Sequence, residues 1–169
     1  MRLRDLTTGD LALYEAIHCD PAMMAELGGP LPSEGMWAKL RKDAADVEGD
    51  RVWVQVIIPD EEVGTPAGTV SVWDHEWRGE TITEIGWMVL PVFQGKGLGS
   101  QAVQMVLDRA RATGRWDVLH AFPAVINPAS NAMCRKLGFS RVEEIDYVYR
   151  GRTLRCNHWR LDLRFATSP

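Results

Sequence analysis

The sequence predicts a mixed α/β domain, with a sheet of about seven strands flanked by helices, and three observations carry that prediction. Three consecutive strand-like runs, Val52–Ile58, Ala67–Asp74 and one starting near Thr81, are joined by loops too short for crossovers, so they form an antiparallel meander. A strand ending at Leu90 passes through a glycine turn into a helix and then into the buried run Trp116–Phe122, the pattern of a parallel crossover. Three helical segments precede Gly49, two marked by apolar residues at helical spacing and one by its start and stop signals, and they supply a layer to cover the sheet.

The elements follow in order. Arg2–Leu6 alternates as a short strand. Thr7 or Thr8 caps the next helix, with Asp10 in its first turn and Leu11, Tyr14, Ile17 and His18 at helical spacing. Asp20-Pro21 predicts a second helix, a capping side chain followed by proline at the first helical position, stopped by Gly28-Gly29-Pro30. Ser33 caps a third, lined by Met36, Trp37, Leu40, Ala44 and Val47. After the Val52–Ile58 strand comes a polar, acidic loop, Pro59–Pro66, and Asp74–Glu80 is the turn between the next two strands. The fourth strand places Glu84, Gly86 and Met88 on one face and Ile85, Trp87 and Val89 on the other. Gly86 within it predicts a bulge or a close backbone approach. The helix from Gly97 to Thr113 is apolar on a broad front (Leu98, Ala102, Val103, Met105, Val106, Leu107, Ala110) and ends at Gly114. A further helix opens at Asn127-Pro128 and closes at Gly138. Two last strands, Ser140–Tyr149 and Thr153–Leu163, join through Arg150-Gly151.

Length and composition narrow the function classes. At 169 residues, 46% hydrophobic and 25% charged, the chain suits one globular domain spanning residues 1–169. Nineteen Lys and Arg against 23 Asp and Glu give a net charge of −4, so nothing points to nucleic acid or an anionic membrane as partner. No apolar run approaches the roughly 20 residues a membrane span needs, and Met1–Leu6 lacks the apolar core of a secretory signal. A cytoplasmic location is the expectation. Cys19, Cys134 and Cys156 show no CxxC spacing and read as reduced thiols. The four histidines make no ligand pattern, and no metal site is expected. Several tryptophans (Trp37, Trp53, Trp73, Trp77, Trp87) lie where they can shape a ligand pocket, although rings of this size more often fill core.

Gly95, Gly97 and Gly99 alternate between a strand and a helix, so the backbone there can turn tightly and approach a ligand closely. The free N–H groups and positive dipole end of the following helix attract phosphate. A phosphate-bearing cofactor is therefore expected. The loop fails GxxxxGK[ST] twice, since Leu90 stands five residues before Gly95 and Gly97 follows Lys96. It also fails the dinucleotide fingerprint, because Ser100 replaces the third glycine and several antiparallel strands come first.

What the turn does match is a family pattern. Gln94-x-x-Gly97-x-Gly99 after Val89-Leu90-Pro91 resembles the acyl-CoA pyrophosphate loop of the GNAT superfamily of N-acetyltransferases. Asn127-x-x-Ser130-x-x-Met133-x-x-Lys136-x-Gly138-Phe139 resembles that family's next strand–helix unit. Arg2–Leu6, Asp20-Pro21 and Gly151–Leu163 are similar to the branch containing the ribosomal-protein N-terminal acetyltransferases. The resemblance implies a GNAT fold, with the sheet splayed between its fourth and fifth strands, and acetyl-CoA as cofactor. Backbone amides of Gly95, Lys96, Gly97, Leu98, Gly99 and Ser100 would ring the pyrophosphate, with Gln94 opening the motif and Lys96 either pairing with phosphate or simply solvated. Backbone groups of Met88 and Val89 would pair with the pantetheine arm as an added strand. Asn127 would either contact that arm or serve only as the helix cap.

The same resemblance implies an amine acceptor, a protein N-terminus or a small-molecule amine, attacking the thioester directly within one complex. An N–H near Met88 or Val89, at the family's bulge, would receive the developing oxyanion. Glu84 is the candidate base, its alternative an exposed strand carboxylate, with Asp74, His75 and Glu76 in reserve on a loop. Where many members carry a tyrosine to protonate the leaving thiolate, this chain has Cys134, whose alternative is core packing. Ser130 is the other donor candidate, its alternative a first-turn cap. The rival function is a non-catalytic acyl-CoA sensor of the same fold, and in either case the chain is expected to act as a monomer or homodimer.

Overall fold

In the computed structural model, residues 1–60 and 64–164 are described, so part of the acidic Pro59–Pro66 loop lies outside the described residues. The strands are β1 (Arg2–Asp5), β2 (Trp53–Ile58), β3 (Gly68–Trp77), β4 (Glu80–Val89), β5 (Val118–Ala121), β6 (Ser140–Tyr149) and β7 (Arg152–Asp162). They share one sheet in the order β1-β2-β3-β4-β5-β7-β6, antiparallel throughout except for the parallel β4–β5 pair. The helices are α1 (Leu11–His18), α2 (Met36–Glu48), α3 (Leu98–Thr113) and α4 (Pro128–Lys136).

Alternation along each strand sends side chains to two cores. Val70, Val72, Ile85, Leu119, Trp159 and Leu161 pack against Val103, Val106 and Leu107 of α3 and Cys134 of α4. Val54, Val56 and Ile58 pack on the other face against Leu13, Tyr14 and Ile17 of α1 and Met36 and Leu40 of α2. The helices α1 and α2 thus cover the early part of the sheet. Further along that face a third cluster, Ile82, Phe122, Ile145 and Cys156, contains no helical residue.

Four local expectations are corrected. Residues Pro21–Met24 form a turn that runs into a 3-10 turn at Ala25–Leu27; Asp20 does cap locally, accepting the Met23 amide at 2.8 Å, but no α-helix follows. Ser33 is not the cap of α2: Gly35, left-handed at φ 87°, precedes the helix, and Trp37 is 48% exposed rather than on its buried side. The β3–β4 turn is two residues, Arg78-Gly79, both at positive φ (52° and 81°), the geometry that matches strand twist. The strands therefore run further than the sequence suggests, and Asp74, His75 and Glu76 belong to β3 instead of a loop. Finally, the β3–β4 register is continuous from Gly68↔Val89 to Trp77↔Glu80, so Gly86 makes no bulge. It is there for contact, since a Cβ on Gly86 would stand 3.2 Å from the Trp73 ring.

Asn131 joins α4 to β7. Its side chain, 8% exposed, accepts from Asn157 Nδ2 (2.8 Å) and Trp159 Nε1 (2.9 Å) and donates to the carbonyls of Ala124 (2.9 Å) and Asn127 (2.7 Å). Asn131→Ala strands two buried donors, and the expected loss is about 2–6 kcal/mol in urea unfolding, at one to three per orphaned group.

At the opposite end, Thr7 and Asp10 form a capping box, and Arg4 donates to Asp10 Oδ2 at 2.8 Å. Burial alone would raise the Asp10 carboxyl; the Arg4 guanidinium and the Thr7 amide and hydroxyl outweigh it and hold the group below its usual range. A depressed folded-state value means that the stabilisation is complete above the unfolded value of 3.8 and is lost as pH falls through the folded one. Stability of Asp10→Asn measured against pH should therefore fall less steeply than wild type below about pH 4.

Candidate active site

The β4–β5 ladder holds a single partner pair among the described residues, Glu84↔His120. Beyond it the two strands separate, and β4 runs on to Val89 without β5 beside it. On its other side that end of β4 is pressed close to β3. A Cβ on Gly68 would stand 2.0 Å from the Met88 carbonyl oxygen, so this position admits no side chain. Met88 thus turns its carbonyl toward β3, and strand alternation directs the backbone groups of Val89 to the open side. Gln94 Nε2 donates to the Val89 carbonyl at 2.8 Å.

The chain then makes a one-turn 3-10 helix, Pro91–Phe93, and enters the glycine turn. Gly95 (φ 75°) and Gly97 (φ 78°) are left-handed, and Gly97 precedes α3 with no side chain capping the helix. Gly99 has another reason to be glycine: a Cβ there would meet the Val89 Cγ2 methyl tightly, at 3.3 Å, and touch Met133 Sδ at 3.6 Å, where α3 packs on β4 and α4. Gln94, Gly95, Lys96 and Gly97 are exposed, and Leu98, Gly99 and Ser100 half-buried. The Lys96 ammonium lies over the Phe93 ring, 5.5 Å from its centroid. A hollow of about 400 Å³ flanks the turn, lined by Phe93, Lys96, Leu98 and Gln101 together with Met1 and Asp60, and it is separate from the β4–β5 opening.

From the other strand of the opening comes α4. Asn127 caps it, Oδ1 accepting the Ser130 amide at 2.8 Å, while its Nδ2 donates to Glu26. The α1–α2 connection is thereby tied to the α4 N-terminus, and it also meets the β6–β7 turn, where a Cβ on Gly28 would stand 3.0 Å from Arg152 Cδ. Ser130 Oγ accepts from Trp87 Nε1 at 3.3 Å, which leaves its own hydrogen free to donate. Cys134 lies elsewhere. It is 0% exposed inside the α3–α4 core, and burial pushes its thiol up to about 12, so the reading that the structure supports is core packing.

Glu84 sits at the last paired position before the opening, its side chain 12% exposed. Tyr147 donates to its Oε2 at 2.9 Å, and His75 Nε2 stands 2.9 Å from the same oxygen, off the straight line of a hydrogen bond. Neither neighbour was singled out as such by the sequence: His75 read as a loop residue, and Tyr147 lies 63 positions away. Only the strand order β5-β7-β6 brings Tyr147 to Glu84. On the same face His120 Nδ1 meets His158 Nε2 at 2.8 Å, a contact that requires one ring nitrogen without a proton, and burial lowers both histidines, His120 to about 4.

The model of the acetyltransferase (GNAT) domain matches residues 1–140. With that much of the sequence matched, the chain belongs to the GNAT family of acetyltransferases. No curated protein matches it in sequence. Among solved structures, it is similar to RimL, a ribosomal L7/L12 alpha-N-protein acetyltransferase in complex with coenzyme A, at 19% identity, covering 95% of this chain and 92% of that one with a TM-score of 0.77. A putative acetyltransferase, yncA from Salmonella typhimurium with its cofactor acetyl-CoA, is 26% identical over 100% and 97% of the two chains with a TM-score of 0.72. Spermidine N-acetyltransferase from Vibrio cholerae, in complex with CoA and spermine, is 17% identical over 96% and 95%, with a TM-score of 0.78. Membership of the family makes the protein an N-acetyltransferase by class.

Proposed function

We propose that the protein transfers the acetyl group of acetyl-CoA to a primary amine, and that the acceptor is a protein N-terminus or a small polyamine-like molecule. The observation that carries this is the opening of the sheet just past Glu84, beside a capless helix N-terminus. The residues fit the cofactor: amides of Gly95 to Ser100 suit the pyrophosphate, and the side-chain-free approach of Gly99 keeps α3 close to the open edge of β4. Val89, whose backbone faces the open side, takes the pantetheine in place of a neighbouring strand, with Gln94 releasing its carbonyl. Asn127 meets the same arm, which requires Glu26 to let go of its amide.

Acetyl-CoA supplies an acyl group on a thioester whose carbonyl carbon the amine attacks directly. Glu84 takes a proton from the acceptor ammonium, directly or through one water, which frees the nitrogen lone pair. The Val89 N–H is the backbone donor available where negative charge develops. Ser130, with its hydroxyl hydrogen free, is the proton donor to the departing thiolate, in preference to Cys134. The named acceptors of the similar structures, ribosomal-protein N-termini and spermine, support an amine acceptor of one of these two kinds. We further propose that residues 1–169 act as one domain, in the cytoplasm, as a monomer or homodimer.

The test is CoA release, followed with a thiol reagent, from acetyl-CoA over a panel of N-terminal peptides and amines. Turnover with at least one acceptor is expected. Silence across a broad panel, with acetyl-CoA still raising the melting temperature, would establish the non-catalytic sensor instead.

A further inference from the structure

The environment of Glu84 carries more than a base. Its oxygen Oε2 has two partners, Tyr147 from β6 and His75 from β3, whereas Oε1 has none among the described residues. Both partners are themselves held. The Tyr147 ring stacks on Phe122 with centroids 4.5 Å apart and planes 15° from parallel, and His75 stacks on Trp73 at 6.4 Å and 29°. His75 also has oxygen at its second nitrogen, the Glu76 carbonyl 3.3 Å from Nδ1. Oxygen on both sides of the ring suits the doubly protonated imidazolium, and contact with Glu84 raises His75 above its ordinary value.

We propose that His75 and Tyr147 are positioning residues for acetyl transfer: together they fix Oε2 of Glu84 and leave Oε1 as the oxygen that receives the acceptor's proton. This rests on the reading of Glu84 as base. In the step itself an ammonium N–H bond breaks, an O–H bond forms at Oε1, and the electron pair stays on nitrogen for the attack.

The surroundings make His75 the charge that matters. From β5, Glu84 is paired with His120, whose ring stacks on His158 of β7, and Cys156 of β7 is close enough to feel its charge. Burial keeps both histidines neutral and holds the Cys156 thiol up at about 11. From β6, Tyr147 is pushed up by burial and by Glu84 and stays protonated. The nearby Arg78 is paired with Glu143 at 2.7 Å. Among the described residues His75 is the one basic group within ion-pair distance of Glu84.

The experiment is the pH dependence of kcat/KM for Glu84→Gln, His75→Gln, His75→Lys and Tyr147→Phe, by CoA release with acetyl-CoA and the most active acceptor of the amine panel. Losing the cation should move the low-pH limb of the His75→Gln profile upward by about one unit. His75→Lys keeps a positive charge and should restore the limb. Tyr147→Phe, which keeps the ring on Phe122, should move it upward by about one unit, through loss of a hydrogen bond to the charged form. A purely structural role would lower kcat and leave the limb in place. If Glu84→Gln abolishes the limb but His75→Gln and Tyr147→Phe do not move it, the positioning role is overturned while Glu84 stands as base. If Glu84→Gln keeps wild-type rate and profile, or if no acceptor turns over, the base reading and the positioning role fall together. Ring ¹⁵N titration of His75 gives a readout without acceptor: its midpoint should drop toward the ordinary value in Glu84→Gln, and an unmoved midpoint would overturn the contact.

Discussion

Glu84→Gln is expected to lower kcat/KM for the best amine acceptor by about 10²–10⁴-fold, the range that a positioned general base contributes. Acetyl-CoA affinity should hardly change, because Glu84 lies before the sheet opens and the groups proposed to hold the cofactor lie beyond it, at Val89 and the glycine turn. The amide keeps the size of the carboxylate and can still accept from Tyr147, so the fold should survive with a similar melting temperature. A variant that loses cofactor affinity as strongly as rate would place Glu84 in binding and not in proton transfer.

Gly68→Ala is the second substitution with a large expected effect, and it acts from the other side of β4. The new methyl would stand 2.0 Å from the Met88 oxygen and 2.9 Å from the Val89 Cα, both backbone atoms, so β3 and β4 must separate there. Forced repacking of this kind costs about 1–3 kcal/mol, which corresponds to a melting temperature lower by about 2–12 °C for a chain of this size. The functional consequence is sharper. Displacing Val89 spoils the edge proposed to pair with the pantetheine, so acetyl-CoA affinity by titration calorimetry should fall about tenfold or more, the equivalent of roughly one lost hydrogen bond to that edge. Ser71→Ala, three register steps inside the same ladder, should leave affinity unchanged. Equal affinities for Gly68→Ala and wild type would mean that the end of β4 does not hold the cofactor.

These two residues show what a sequence can and cannot disclose. The meander, the parallel crossover and the glycine turn are local patterns, and the structure has all three. Within the turn, the left-handed Gly95 and Gly97 answer to the conformational freedom inferred for them, whereas Gly99 answers to packing against Val89 and Met133. Gly68 gave no such signal, because its requirement is a backbone 20 residues further along the chain that only the β3–β4 register brings close. His75 was displaced from its strand by an overlong turn: Arg78 takes a positive φ that arginine seldom adopts, so nothing marked Arg78-Gly79 as a two-residue hairpin. Asp20-Pro21 has the local signature of a helix start, yet the chain there must fold back to bring Glu26 to Asn127, and the contact prevails over the propensity. Cys134 is where the family pattern and packing diverge: the position that elsewhere holds a donor is here a core thiol. Tyr147 could not be seen at all without knowing that β7 lies between β5 and β6.

The central claim is that acetyl-CoA occupies the β4 edge and the glycine turn at once. Amide hydrogen exchange of the full chain with and without saturating acetyl-CoA reads those two places separately. Protection is expected at the Val89 amide and across Gly95 to Ser100, with the first turn of α3 slowed most and β6 scarcely changed. Protection by acetyl-CoA confined to other segments, or equal protection of the turn by ATP with none at Val89, would contradict it.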